Sequence, residues 1–180
     1  AHYADIPIIN ALTDLLHPCQ ALTDLLTIKE HKGQNLKGLK MAYIGDGNNM
    51  THSLMYACAK TGIDFVAATP KGYEPNAEIL ANAKADAAET GASITVTNDV
   101  MAAAKDADVL YTDVWASMGQ EEEHDARVKI FQGYQINNDL LKAADKRAMV
   151  LHCLPAHRGE EITEEVEPAE TKPREEPHDL

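Results

Sequence analysis

The chain has 180 residues, 44% of them apolar and only 5% aromatic, which allows one ordinary domain around an aliphatic core of Ala, Leu, Ile, Val and Met. A net charge of -13 excludes nucleic acid as a natural partner, since nothing would neutralise phosphates along a duplex, and no run approaches the roughly 20 apolar residues that span a bilayer. No charged-then-apolar leader precedes the first motif, and Cys19, Cys58 and Cys153 read as reduced thiols, so the expectation is a cytoplasmic protein with no membrane partner.

In chain order, residues 1–38 form a connecting segment. Residues 19–31 have helical spacing, with Leu22, Leu25, Leu26 and His31 near one another, and Pro18 suits the first helical turn. A short apolar strand over 40–45 ends at Gly45, and a helix runs from Asn49 to Thr61. A second strand covers 64–68. The Ala-rich stretch 76–90 reads as a helix stopped by Gly91. Residues 93–97 alternate like a strand, and Asp99 looks like the N-cap of a short helix through Lys105. Strands at 109–112 and 148–152 flank a helix near 137–144. After Pro155 the apolar rhythm fades, and the acids from Glu160 to Asp179 read as a solvated run. This predicts an α/β domain over 39–166 and an acidic, Pro-containing, disordered tail over 167–180. The domain is an open, doubly wound, Rossmann-like parallel sheet of about five strands with helices on both faces.

Ligands in such folds sit beyond the carboxyl ends of the strands, so the residues just after each strand become the candidates. Gly45-Asp-Gly-Asn-Asn49 follows the first strand and opens a helix, which favours anionic groups. A dinucleotide site is disfavoured, because Met50 replaces the third glycine of the fingerprint and Ala68 stands where an acid would hold a ribose. Asn49 offers a donor and an acceptor to an amino acid's α-groups, whereas Asn48 reads as a helix cap. Asp113, directly after a buried strand, can hold an ammonium, and Ser117 with the amides around Met118 and Gly119 can take a carboxylate. Trp115 reads as packing, and Glu121 to Glu123 as a solvated helix start. Cys153 lies between His152 and a turn at a strand's end, which raises the odds of a functional thiol. His17 and Gln20 at a helix mouth form a donor pair. His17, Cys19, His152, Cys153 and His157 include zinc-type ligands, but their spacings fit no finger or ribbon, and no metal is expected.

Taken together, His17-Pro-Cys-Gln20, Asp46-Gly-Asn-Asn49, Ala68-Thr-Pro-Lys-Gly-Tyr-Glu-Pro75, Asp113-Val-Trp-Ala-Ser-Met-Gly119 and His152-Cys-Leu-Pro155 resemble, in that order, the motifs of ornithine carbamoyltransferases. The resemblance runs from about Ile6 to Val166. It implies that Asn49, Asp113, Ser117 and Met118 grip ornithine's α-amino and α-carboxylate groups. It also implies that Cys153 lies beside the δ-amine as proton acceptor, with Leu154 giving a backbone carbonyl. His17 and Gln20 would contact the carbamoyl group of carbamoyl phosphate. The implied reaction is attack of the neutral δ-amine on the carbamoyl carbon, giving citrulline and phosphate without metal or organic cofactor, and the family's common assembly is a homotrimer.

Two family features do not occur in this sequence. One is the Ser-x-Arg-Thr-Arg motif that binds phosphate, and the other is a final helix opened by Asn-Arg. Without those arginines a dianionic phosphate lacks its main charge partners. The expectation is one part of a larger enzyme, with an unrelated tail from Glu167. It should bind ornithine weakly and catalyse little by itself, and it should expose an apolar face where the rest would pack. A catalytically inactive ornithine-binding module is the competing reading.

Overall fold

The computed structural model describes residues 5–116 and 121–166. The order is α1 (Pro18–Lys32), β1 (Lys40–Ile44), α2 (Asn49–Thr61), β2 (Asp64–Ala68), α3 (Ala77–Thr90), β3 (Ile94–Thr97), α4 (Val100–Ala104) and β4 (Val109–Thr112). A 3-10 turn (Glu121–Glu123) then leads into α5 (His124–Phe131), α6 (Asn138–Ala143) and β5 (Met149–His152). The strands form one sheet in the order β3-β2-β1-β4-β5, and every neighbouring pair is parallel. The expected architecture is therefore present, and the strand order reverses between β1 and β4, the place where such sheets open a ligand crevice.

Both faces of the sheet are covered, and β1 shows why an apolar run of this kind must be a central strand. Met41 and Tyr43 enter the core beneath α1, α2 and α3, while Ala42 and Ile44 enter the core beneath α4 and α6. The helices start where the sequence offers caps. Asn48, Asn76, Asp99 and Asn137 each accept backbone N–H groups from the first turn of α2, α3, α4 and α6. Gly91 ends α3 in the left-handed conformation that only glycine adopts freely.

Two expectations need correction, on the core and on the acidic run, and the sequence leaves the inward side of α1 open. The core is not purely aliphatic, because Tyr43, Tyr111, Phe65 and Phe131 are among the largest fully buried side chains. The few aromatics are concentrated inside, where each removes the most apolar surface from water. In α1 the inward side is Ala21, Asp24 and Ile28, whereas Leu22 and Leu26 face outward. Finally, the acidic run does not begin at Glu160. Glu161 is fully buried and Ile162 belongs to the core, so the solvated character starts only beyond them. The tail over 167–180 lies outside the described residues.

Most of the exposed large apolar side chains among the described residues lie in and just before α1. Ile6, Ile8, Ile9, Leu12 and Leu15 precede α1, and Leu16, Ala21, Leu22 and Leu25 line a groove of about 360 Å³ against Tyr56 and Ala57 of α2. Among the described residues no helix is long and apolar enough to cross a membrane.

Candidate functional site

The carboxyl ends of β1, β4 and β5 meet at a cleft of about 180 Å³ lined by Leu12, His17, Asn49, Met50, Asp113, Val114, Cys153, Leu154 and Pro155. Of the residues singled out in the sequence, His17, Asn49, Asp113, Cys153 and Leu154 are thus brought together. Gln20 is not among the lining residues. Its side-chain amide donates to Asp24 Oδ1 at 2.9 Å, one helical turn along α1. Ser117 and Met118 lie outside the described residues.

Asp113 organises the cleft. It is buried, and its carboxylate already accepts three hydrogen bonds. The Cys153 thiol donates to Oδ1 at 3.0 Å, the Val114 N–H to Oδ1 at 2.8 Å and the Asn48 side-chain amide to Oδ2 at 2.8 Å. A carboxylate offers about four acceptor sites, so capacity for one further donor remains. Asn48 is shared between this contact and the cap of α2, to which its Oδ1 is committed, as the sequence indicated.

The chemical state of Cys153 follows from this setting. Burial pushes its thiol well above the ordinary range, and the adjacent Asp113 charge pushes it further, with Asp113 also holding the proton in a hydrogen bond. Cys153 is a thiol here and not a resting thiolate. Beneath the cleft, burial likewise raises Tyr43 and Tyr111, whose rings stack at 6.0 Å. The Tyr111 hydroxyl donates to Asp24 Oδ2 at 2.9 Å, and burial raises Asp24 as well. Asp24 therefore links Gln20 on α1 to the β4 strand that carries Asp113.

His17 occupies the N-cap position of α1, where its backbone N–H donates to Ser53 Oγ at 2.7 Å. Its ring Nδ1 is buried with no hydrogen-bond partner among the described residues. A buried polar atom left without a partner is costly, and here it belongs to a side chain lining the cleft. Asn49, which lines the cleft, donates from Nδ2 to the Thr13 carbonyl at 3.0 Å.

Sequence reasoning missed two supports. Arg127 of α5 is buried, ion-paired with Asp46 after β1, hydrogen-bonded to the Trp115 carbonyl, and packed over the rings of Tyr73 and Phe131 at 5.0 and 5.2 Å. Burial still raises Asp46 despite this partner. The only signal in the sequence was Arg127 placed four residues before Phe131, one helical turn apart, in a stretch that otherwise reads as solvated. The second support is His152–Glu161. His152 Nε2 donates to Glu161 Oε1 at 3.0 Å, and its Nδ1 accepts the Leu154 N–H at 2.7 Å. The His157 N–H donates to the same Glu161 oxygen at 2.6 Å. This arrangement shapes the turn that carries Cys153 and Leu154.

Gly47 is explained by packing. A Cβ there would lie 2.3 Å from Pro75 N and 2.6 Å from the Tyr73 carbonyl, so the loop after β2 crosses directly over it. Gly47 serves that crossing, whereas Gly45 holds a positive φ of 147° beside Tyr43 and Thr112.

Fold and cleft together define an open α/β domain with a small polar crevice at its strand-order switch. A family model described as aspartate/ornithine carbamoyltransferase, Asp/Orn binding domain, matches residues 37–172, and one described as the carbamoyl-P binding domain of the same family matches residues 1–30. The chain belongs to the aspartate/ornithine carbamoyltransferase family. It is 60% identical over 163 residues to an ornithine carbamoyltransferase of Oceanobacillus iheyensis, covering 91% of this chain and 50% of that protein. It is 61% identical to that of Anoxybacillus flavithermus, covering 92% of this chain and 52% of the relative. The solved ornithine carbamoyltransferase of Pyrococcus furiosus superposes with a TM-score of 0.88 at 55% identity, over 93% of this chain and 53% of that one. The chain thus spans about half the length of the relatives it matches.

Proposed function

We propose that this chain carries the ornithine half of a carbamoyl transfer from carbamoyl phosphate to the δ-amine of L-ornithine, giving L-citrulline and phosphate. The observation that carries the reading is the chemistry of the cleft. Its described lining holds one acid, one amide, one thiol and one imidazole, with no lysine or arginine. That set suits a ligand bearing amines and does not suit a phosphate dianion. At about 180 Å³ the cleft is also smaller than the ~300 Å³ at which pockets for drug-sized molecules begin.

In this reading Asp113 uses its remaining acceptor site for an ammonium of ornithine, and Asn49, Ser117 and Met118 complete the grip on the α-groups. Cys153 and the Leu154 carbonyl lie against the δ-amine. An amine must lose its proton before it attacks. Because Cys153 is a thiol bonded to Asp113, the pair acts as one acid–base unit, with the carboxylate as the base behind the sulfur. His17, with its unpartnered Nδ1, donates to the oxygen that gains charge on the carbamoyl carbon. Gln20 assists only after turning away from Asp24. The phosphate is bound by the carbamoyl-phosphate-binding part of the enzyme.

Calorimetric titration tests the division of labour. L-Ornithine is expected to bind, and Asp113→Asn to weaken it by about tenfold, the loss of one charge-assisted contact. Tight binding of carbamoyl phosphate by this chain alone overturns the reading. Adding a separately produced carbamoyl-phosphate-binding domain should yield citrulline. Ornithine binding without citrulline under that complementation marks an inactive binding module instead.

A further inference from the structure

Three metal-type side chains converge away from the cleft, where α5 begins. His124 opens α5, while His157 and Glu160 lie on the turn after β5, and one ligand atom of each falls within 4.8 Å of the other two. We propose that His124, His157 and Glu160 form a binding site for a divalent transition-metal ion of the zinc class.

Two of the three donor separations lie close to those a metal needs, and the third is within 4.8 Å. His124 Nε2 is 3.1 Å from both Glu160 oxygens, and His157 Nδ1 is 3.8 Å from Glu160 Oε2. Ligand bonds of about 2.0–2.2 Å around a tetrahedral ion place neighbouring donors about 3.3 Å apart. The observed spacings lie on either side of that value, so small side-chain rotations close the site. Two imidazoles and one carboxylate form a borderline-soft donor set, suited to zinc and its neighbours and poor for calcium or magnesium.

The backbone holds these donors in advance. Residues 157–160 form a turn closed by the Glu160 N–H on the His157 carbonyl at 2.9 Å, with Gly159 at φ 91°. That turn sets His157 and Glu160 side by side. Gln135 clamps it from outside, its side-chain amide donating to the Gly159 and Glu160 carbonyls at 3.1 and 2.6 Å. The other nitrogen of His124 faces Asp125 Oδ1 at 3.5 Å. A carboxylate behind a histidine fixes the tautomer and leaves the far nitrogen's lone pair free for a metal. The three side chains are between a quarter and a half exposed, so an ion can enter and a water can fill the fourth position.

A bound ion would tie the start of α5 to a turn whose His157 lies two residues after Pro155 of the cleft. The site is separate from Cys153 and His17, and no thiol takes part.

Zinc and cobalt(II) titrations of the chelator-treated full chain test this. One equivalent is expected to bind, with the strong visible ligand-field bands of tetrahedral cobalt and no thiolate charge-transfer band. His157→Asn and Glu160→Gln should each weaken binding by about tenfold or more, and Cys153→Ser should leave it unchanged. Circular dichroism of these surface variants confirms that they fold. Absence of binding, unchanged affinity in His157→Asn, or a thiolate band that disappears in Cys153→Ser each overturns the proposal.

Discussion

The cleft has two kinds of wall, and they are held in different ways. The strand-end rim after β1, β4 and β5 is fixed by the buried Asp46–Arg127 ion pair, whose partners lie 81 residues apart, and by the hydrogen bond from the neutral His152 ring to the buried Glu161 carboxylate. The segment before α1, which brings Leu12 and His17 to the same cleft, is held by single hydrogen bonds. Thr13 accepts from Asn49, Leu15 accepts from His52, and His17 donates to Ser53. Its leucines and isoleucines remain exposed. Buried ion pairs resist removal of one partner, because the other is left charged and dry, whereas isolated hydrogen bonds contribute about 1 kcal/mol each. The amino-acid side of the cleft should therefore persist under conditions that loosen the His17 side.

Breaking the rim should have the largest effect. Arg127→Ala strands Asp46 in a buried position and removes the planar group between Tyr73 and Phe131. The expected loss is about 3–5 kcal/mol in denaturant unfolding. Replacing both partners, Arg127→Met with Asp46→Asn, should recover much of it, since no charge is then left without a partner. A double variant as unstable as Arg127→Ala would show that the packing of the guanidinium, not the ion pair, holds α5 to the rim.

Glu161→Gln is the next test. The oxygen that accepts from both His152 and the His157 N–H is kept, but the charge that strengthens both bonds is gone, and the cost should be about 1–3 kcal/mol. Because Glu161 shapes the turn bearing Cys153 and Leu154, ornithine affinity should fall with stability. Unchanged affinity in a destabilised variant would detach this pair from the cleft.

The rim's strands and caps were readable because each is dictated locally. Apolar runs of four or five residues gave the strands, Asn48 and Asp99 marked helix starts by their side-chain acceptors, and Gly91 marked a helix end by its backbone freedom. Asn49, Asp113 and Cys153 could be found because the parallel fold sends each strand end to one edge. Arg127 and Glu161 could not, since a charged residue among charged neighbours has the composition of a solvated face whether or not its partner is 81 or 9 residues away. Gln20 was placed correctly on α1, but the buried Asp24 one turn on was not foreseen, and that acid now holds its amide. Long-range pairing of charges leaves no periodic trace in the chain.

The smallest expected effect lies on the side of the covering segment and depends on pH. His52 Nδ1 donates to the Leu15 carbonyl at 3.0 Å, and its Nε2 accepts the Asn76 N–H at 3.0 Å, so the neutral ring is required to serve both. Burial lowers its proton affinity below the ordinary 6.5, and the Leu15 carbonyl offsets only part of that. Above pH 6.5 the ring is neutral in folded and unfolded chains alike, and the full contribution of the clamp is present. As pH falls below 6.5 the unfolded chain takes up the proton first, and stability declines until the folded-state value is passed. The slope for one proton is at most about 1.4 kcal/mol per pH unit. His52→Gln keeps a donor and an acceptor but does not titrate, so the difference between the two proteins isolates this group from the others. Amide exchange should show the segment around Leu15 opening in step with the loss, while the strands of the rim stay protected. If the wild-type and His52→Gln stability curves run parallel from pH 7 to pH 5, the ring is not what holds the segment down.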